Sequence, residues 1–313
     1  MFKRIHKSMA PWSAAALAAG QAVLLMASLL CGNARAAEPL PVTASFSILG
    51  DLVRVVGGER VAVTTLVGPD EDAHVFEPRP ADARNIVRSK LLVVNGLGFE
   101  PWARKLAKSA SFKGKTLIAS NGVKARTMPA ESGHNHVEAD PHAWQDPTNV
   151  IVYVRNIAAA LGELDPAGAD AFKRNSEAYV AELQRLDAWA REQIGQLPAD
   201  KRRVITSHDA FGYFAAHYGL AFLAPQGVST DAEPSAKGVA ALIRQIQREK
   251  IKAVFFENMG NPKLLAQLSR DAGVTPGAAL YADALSAPGT PGESYLSMMR
   301  HNIQQLTAGM RQN

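Results

Sequence analysis

LPVTASFSILGDLVRVVGGERVAVTTLVGPDEDAH, residues 40–74, reads as strand, helix, strand and then a loop that carries a histidine. Val42–Ser47 and Val61–Val67 are β-branched, apolar runs of strand length. Leu49–Val56 between them has helical apolar spacing. Strands linked through a helix pair in parallel, so this stretch predicts a βαβ unit. The alternation continues outward. Leu91–Asn95 and Thr116–Ser120 read as strands, and Ala81–Ser89 and Pro101–Ser109 as helices. The segment from Asn121 to Gln145 is long, polar and weakly patterned. Pro147 then opens a helix with Asp146 as its expected N-cap.

From Pro166 to Leu197 the pattern changes to one long helix. Phe172, Tyr179, Leu183, Leu186, Ala190 and Ile194 form a single apolar stripe. About 28 residues at 1.5 Å each span roughly 40 Å, the width of a domain. Alternation then resumes. Arg203–Thr206, Ala221–Pro225, Ala253–Glu257 and Gly277–Tyr281 read as strands. Asp209–His217, Ser235–Lys250, Pro262–Ala272 and Glu293–Met310 read as helices. The expected class is α/β, with two Rossmann-like lobes of parallel sheet, 37–165 and 198–313, joined by the helix at 166–197.

Residues 1–36 read as a secretory signal peptide. Lys3, Arg4 and Lys7 precede an apolar stretch, and Ala34-Arg35-Ala36 is a small-x-small cleavage pattern before Ala37. An uncleaved anchor is the rival reading. Cys31 is the only cysteine, and Leu30 before it is larger than a lipidation site usually places there. Cleavage after Ala36 leaves a chain with neither disulfide nor thiolate chemistry. It also removes four cations and no acid, so the formal charge falls from +5 to +1. Such a balance argues little for nucleic acid. An exported chain without cysteine suits a periplasm.

His74, His142, His208 and Asp283 recur at gaps of 68, 66 and 75 residues, each in a Pro- or Gly-punctuated loop past a short apolar run. Strand ends are where α/β proteins build their sites. If the four converge, they offer three imidazoles and one carboxylate, a donor set suited to zinc. Pro69 and Pro78 stiffen the His74 loop. Asp140-Pro141 and Asp146-Pro147 frame His142. Either aspartate could fix the imidazole tautomer, though helix capping is the simpler role for Asp146. Ser207 is a candidate cap for the next helix, whose dipole would keep His208 neutral, as metal binding requires. His134 and His136 could capture metal loosely, or belong to a tract without that role. His217 and His301 read as surface or packing residues.

The chain resembles the periplasmic metal-binding proteins of zinc and manganese ABC importers, the ZnuA/TroA/PsaA-like group. The resemblance covers residues 40–313. It is carried by Leu66-Val67-Gly68-Pro69 through His74-Val75-Phe76-Glu77-Pro78, Asn95-Gly96-Leu97-Gly98-Phe99-Glu100, Asp140-Pro141-His142-Ala143-Trp144, Ser207-His208-Asp209-Ala210-Phe211, Tyr281-Ala282-Asp283-Ala284-Leu285-Ser286 and Met299-Arg300-His301-Asn302. Within the group it looks most like the zinc-binding AztC-type branch. The resemblance implies two lobes on a rigid backbone helix, with one metal ion between them. His74 and His142 would come from the first lobe, and His208 and Asp283 from the second. It implies a monomeric binding protein that delivers Zn²⁺ to a membrane permease, with a periplasmic zinc chaperone as a further candidate partner. Position 208 is His where many manganese-binding members carry Glu.

Three nitrogens and one oxygen favour Zn²⁺ over Mn²⁺, which takes more oxygen ligands. Neutral imidazoles are needed, so affinity is expected to fall as pH drops through about 6.5. Four protein ligands leave no position for a catalytic water, which argues for binding rather than catalysis. The rivals are a manganese-binding member of the same family and a zinc hydrolase using Glu257 as base. No HExxH or Gly-x-Ser-x-Gly pattern supports the hydrolase, and Gly96-x-Gly98 without a third glycine gives nucleotide binding little support.

Overall fold

The computed structural model describes residue 1 and residues 38–129, 137–231, 235–259 and 262–313. The expected signal peptide with Cys31, and the histidines at 134 and 136, lie outside these residues. Among the described residues no helix is long and apolar enough to cross a membrane.

The opening stretch forms β1 (Leu40–Phe46), α1 (Ser47–Gly57) and β2 (Val61–Val67). The alternation continues with α2 (Pro80–Arg88), β3 (Leu91–Val94), α3 (Pro101–Ser109) and β4 (Lys115–Ile118). The four strands make one parallel sheet in the order β2-β1-β3-β4. Position in the sheet explains the strand sequences. β1 lies inside, and its last five residues are all buried. Both faces are covered, so it reads as a run of small and apolar residues. β2 is an edge strand and alternates in exposure until Leu66 and Val67.

The polar segment 121–145 is not all loop. Thr127–Pro129 (β5) and Val137–Ala139 (β6) pair antiparallel. Two three-residue strands, one ending in proline, carry too little periodicity to be seen in sequence. After a 3₁₀ turn at Ala143–Gln145, α4 (Pro147–Leu164) begins. Asp146 caps it as expected, its Oδ1 accepting the Thr148 N–H at 2.8 Å.

The long helix α5 covers Ala169–Gly195, preceded by a 3₁₀ turn at Pro166–Gly168. The whole predicted stripe, Phe172 to Ile194, is buried together with Ser176. That face packs on α1 and α4 from the chain before it. It also packs on α9 (Tyr295–Met310), the last helix. Residues Pro39–Asn313 form a single compact unit.

In the second half, β7 (Arg203–Ile205) pairs in parallel with β8 (Ala221–Leu223), and the short helix α6 (Gly212–Tyr218) lies between them in sequence. α7 (Ala236–Glu249) and α8 (Pro262–Ala272) follow. The strands expected at 253–257 and 277–281 are reduced to single parallel bridges, Ile205 to Val254 and Glu257 to Leu280. Backbone bonds still hold them. Phe255 N–H reaches Ile205 at 2.9 Å and Leu280 N–H reaches Phe256 at 2.8 Å. The Asn258 N–H extends the second pairing to Leu280 O at 2.9 Å, and the Asn258 side chain separately donates to Asp70 at 2.8 Å. At Tyr281 the backbone turns to a side chain instead.

That side chain is Asn302 of α9, fully buried, whose Oδ1 accepts from Tyr281 N and whose Nδ2 donates to Tyr281 O at 2.7 Å. It substitutes for the missing neighbour strand. Asn302→Ala strands both backbone groups of Tyr281. The expected loss is about 1–3 kcal/mol of stability in the metal-free protein, read by urea unfolding.

Candidate metal centre

Three of the four singled-out residues lie just beyond the C-terminal ends of parallel strands. His74 follows β2, His208 follows β7 and Asp283 follows the Leu280 bridge. His142 departs from that expectation, because it follows the β5–β6 hairpin rather than a sheet strand.

The His74 loop is held by its own acids. The His74 N–H donates to Asp72 Oδ1 at 2.9 Å, while Asp72 Oδ2 accepts from Thr230 at 2.7 Å. Asp70 N–H donates to Leu285 O at 2.8 Å, tying this loop to the Asp283 loop. Trp102 Nε1–H donates to the Ala73 carbonyl at 2.8 Å. The His74 ring lies edge-on to Phe99, with centroids 4.7 Å apart.

His142 is fixed at both ends. Asp140 Oδ1 accepts from its backbone N–H at 3.0 Å and lies 2.9 Å from its Nδ1. Asp140, not Asp146, is therefore the tautomer-setting partner, which points Nε2 into the site. Asn95 Nδ2 donates to the Pro141 carbonyl at 2.9 Å. Asn95 is itself held by Glu100, a buried carboxyl that takes the N–H groups of Asn95 and Gly96 and the Ser45 hydroxyl. Burial pushes Glu100 up to about 7, against the pull of those donors. Gly96 has φ +84°, and a Cβ there would lie 2.5 Å from Ile118 Cγ2. The glycine of the Asn95–Glu100 motif thus answers both a backbone and a packing demand.

His208 corrects one expectation. Helix α6 starts at Gly212, four residues later, so neither Ser207 capping nor a helix dipole acts on this ring. The Ser207 hydroxyl makes no hydrogen bond. The controlling group is Glu257. Its Oε1 accepts from Ser207 N and His208 N at 2.8 and 3.1 Å, and its Oε2 pairs with His208 Nδ1. Its role is therefore to position the ring rather than to act as a base. Burial works against a charged His208, but Glu257 and Asp283 outweigh it and hold the pKa well above the usual histidine value.

Asp283 is buried at the bottom. The preceding carbonyl, Ala282 O, accepts from Trp144 Nε1 at 2.9 Å and Gln145 Nε2 at 2.6 Å. The segment after His142 thus holds the segment before Asp283. Leu285 N–H donates to Ser47 at 3.0 Å.

The four side chains converge. One donor atom from each of His74, His142, His208 and Asp283 lies within 4.8 Å of the others. All three rings present Nε2. His74 and His208 Nε2 lie 3.2 and 3.1 Å from Asp283 Oδ2, and His142 Nε2 lies 3.5 Å from Oδ1. His208 Nε2 and both Asp283 oxygens nevertheless make no hydrogen bond, although they are buried. They sit at ion-pair distance without the geometry of a hydrogen bond. Buried polar atoms without partners are costly, and a divalent cation among them would satisfy all three. His74 borders a cavity of about 310 Å³ together with Phe99, Pro141 and Val228.

Residues 42–309 match the family described as zinc-uptake complex component A, periplasmic. The chain belongs to this family. The manganese-binding lipoprotein MntA of Halalkalibacterium halodurans is 32% identical over 281 residues, covering 90% of this chain and 92% of that one. The structure of the periplasmic zinc-binding protein TroA from Treponema pallidum superposes with a TM-score of 0.81 at 29% identity, over 87% of this chain and 99% of that one. A manganese-bound periplasmic metal-binding protein from Candidatus Liberibacter asiaticus gives 0.76 at 28% identity, over 86% and 98%. The family comprises substrate-binding proteins of metal ABC transporters, which work with a membrane permease and are not enzymes. The hydrolase alternative falls with that. Membership does not divide the family further, and the AztC-type branch stays a reading of the sequence.

Glu257 is the residue to test at the centre. Glu257→Ala leaves the His208 ring and two backbone donors without their acceptor. Affinity for a divalent metal ion is expected to fall about 10- to 100-fold in competition with a chromophoric chelator.

Proposed function

We propose that this protein binds Zn²⁺ tightly through His74, His142, His208 and Asp283 and, as a monomer, delivers it to the permease of its importer. The observation that carries the proposal is the convergence of three Nε2 atoms and one buried carboxylate within 4.8 Å. Three neutral nitrogens and one anionic oxygen match the borderline softness and four-coordination of zinc. The neighbouring carboxylates Asp140 and Glu257 face the Nδ1 atoms of His142 and His208, away from the donor atoms. They raise ligand basicity instead of adding oxygen ligands. Loading from a periplasmic zinc chaperone belongs to the same proposal, as does release by small shifts about α5.

Manganese is the second reading. It is favoured by the likeness to the manganese-binding relatives and by Asp283, which turns both oxygens to the rings. The two readings separate in one experiment. His142→Ala and His208→Ala, and to a lesser degree His74→Ala and Asp283→Ala, are expected to weaken zinc, with the first two losing roughly 100-fold or more. The unaltered protein should keep zinc against a hundredfold excess of manganese, about 2.7 kcal/mol of preference. Displacement of zinc by that excess overturns the zinc assignment.

Proton linkage gives a separate check. Burial opposes charge on His142, yet Asp283 and Asp140 raise its pKa to about 9. His208 is raised as well, and the same rings hold Asp283 well below the usual carboxylate range. At neutral pH the metal-free site therefore stores protons. Metal needs neutral rings, so binding must expel them. Affinity should fall progressively as pH drops from about 9, a higher onset than the 6.5 of an ordinary histidine. Calorimetry in buffers of different ionisation enthalpy is expected to register release of about two protons per zinc at pH 7. An affinity that is flat between pH 9 and 7 contradicts the linkage.

A further inference from the structure

Arg126 stands directly before β5 and Asp140 directly after β6, so the pair closes the base of the hairpin. Asp140 N–H donates to Arg126 O at 2.9 Å. Arg126 Nη1 donates to Asp140 Oδ2 at 2.8 Å. The other Asp140 oxygen, Oδ1, is the one against His142 Nδ1. One carboxylate thus has a guanidinium on one side and a ring of the donor set on the other.

A third group joins the pair from across the molecule. The Tyr213 hydroxyl donates to the Asp140 carbonyl at 3.0 Å and accepts the Arg126 N–H at 2.9 Å. Tyr213 is in the first turn of α6, five residues beyond His208. The Arg126 guanidinium lies over the Tyr213 ring, 5.5 Å from its centroid. Gly212 makes this approach feasible. A Cβ on Gly212 would overlap the Arg126 guanidinium and lie 2.7 Å from Asp140 Oδ2. Its φ is not in the left-handed region, so steric room, not backbone freedom, is what the glycine supplies. Asp140 is fully buried while the Arg126 side chain is 35% exposed. Among the described residues, Arg126 is the one cationic side chain paired with Asp140 apart from the ring it orients.

We propose that Arg126 is the positioning residue for His142. Admitted by Gly212, its guanidinium holds the Asp140 carboxylate against Nδ1 and, with the Tyr213 hydroxyl, fastens the His142 loop to the helix that follows His208. The pair sets the aim of one ligand and its distance from another before any metal arrives. This inference rests on the proposal that His142 and His208 ligate the cargo.

The test uses the full mature chain, zinc and cobalt as probes, and four variants. Arg126→Met removes the donor. Gly212→Ala keeps Arg126 but displaces it by a single methyl. Arg126→Lys restores a charged donor for Oδ2. Tyr213→Phe removes only the hydroxyl, and serves if the first two fold poorly. Arg126→Met and Gly212→Ala are expected to lose about 10- to 100-fold in zinc affinity, mainly as faster release, with Arg126→Lys regaining most of it. Tyr213→Phe should shift in the same direction by less. The visible bands of the cobalt-loaded protein should move in Arg126→Met and Gly212→Ala, because the His142 ring turns. A merely structural role would lower the melting temperature of the metal-free protein and leave the cobalt bands and zinc release rate unchanged. That result overturns the proposal. His142→Ala separates the two levels of inference. If it leaves zinc binding intact, the ligand assignment fails. If it abolishes binding while Arg126→Met and Tyr213→Phe bind and release zinc as the unaltered protein does, only the positioning role fails.

Discussion

A buried carboxylate facing three imidazoles is the constraint around which this protein is organised. Asp283 is fully buried, and neither of its oxygens makes a hydrogen bond. Isolated in a protein interior, an anion of this kind is expensive. In the metal-free state the cost is offset by proton charge on the rings: the neighbouring carboxylates raise His142 and His208, and the charged rings lower Asp283. A divalent cation provides the same compensation with a fixed geometry. On the proposed assignment, protons and metal would compete for one site by a single electrostatic rule.

Convergence of the four groups depends on bonds that run between loops. Trp144 and Gln145 hold the Ala282 carbonyl, Asp70 holds the Leu285 carbonyl, and Ser47 takes the Leu285 N–H. Asn302 then fixes Tyr281, two residues before the carboxylate. Each ligand loop is held by groups distant in sequence. Beneath them the α5 stripe packs against helices from before and after it, so the loops are mounted on a common base. Preorganisation of this sort lowers the ordering cost of binding.

Two carboxylates complete the arrangement without joining the donor set. Asp140 and Glu257 each accept backbone N–H groups and each face an Nδ1. The same interaction fixes a tautomer, aims Nε2 and makes the ring a better ligand. Their pull on proton affinity follows from the same placement, which is why the expected pH response lies above that of a free histidine.

Local periodicity was enough to decide the strand–helix alternation, the length and apolar face of the central helix, and the Asp146 cap. Each depends on residues a few positions apart. Residue type and loop context were enough to single out His74, His142, His208 and Asp283. Tertiary structure alone decided the rest, because it turns on groups brought together from distant parts of the chain. The hairpin beneath His142 consists of two three-residue strands with no periodic signal. Residues 253–257 and 277–281 look like strands but form only isolated bridges, and Asn302 takes the Tyr281 backbone groups where a further strand would pair. Ser207 was a plausible cap by sequence. Glu257, 49 residues away, took control of His208, and the separation of an acid from its ring in sequence says nothing about their distance in space.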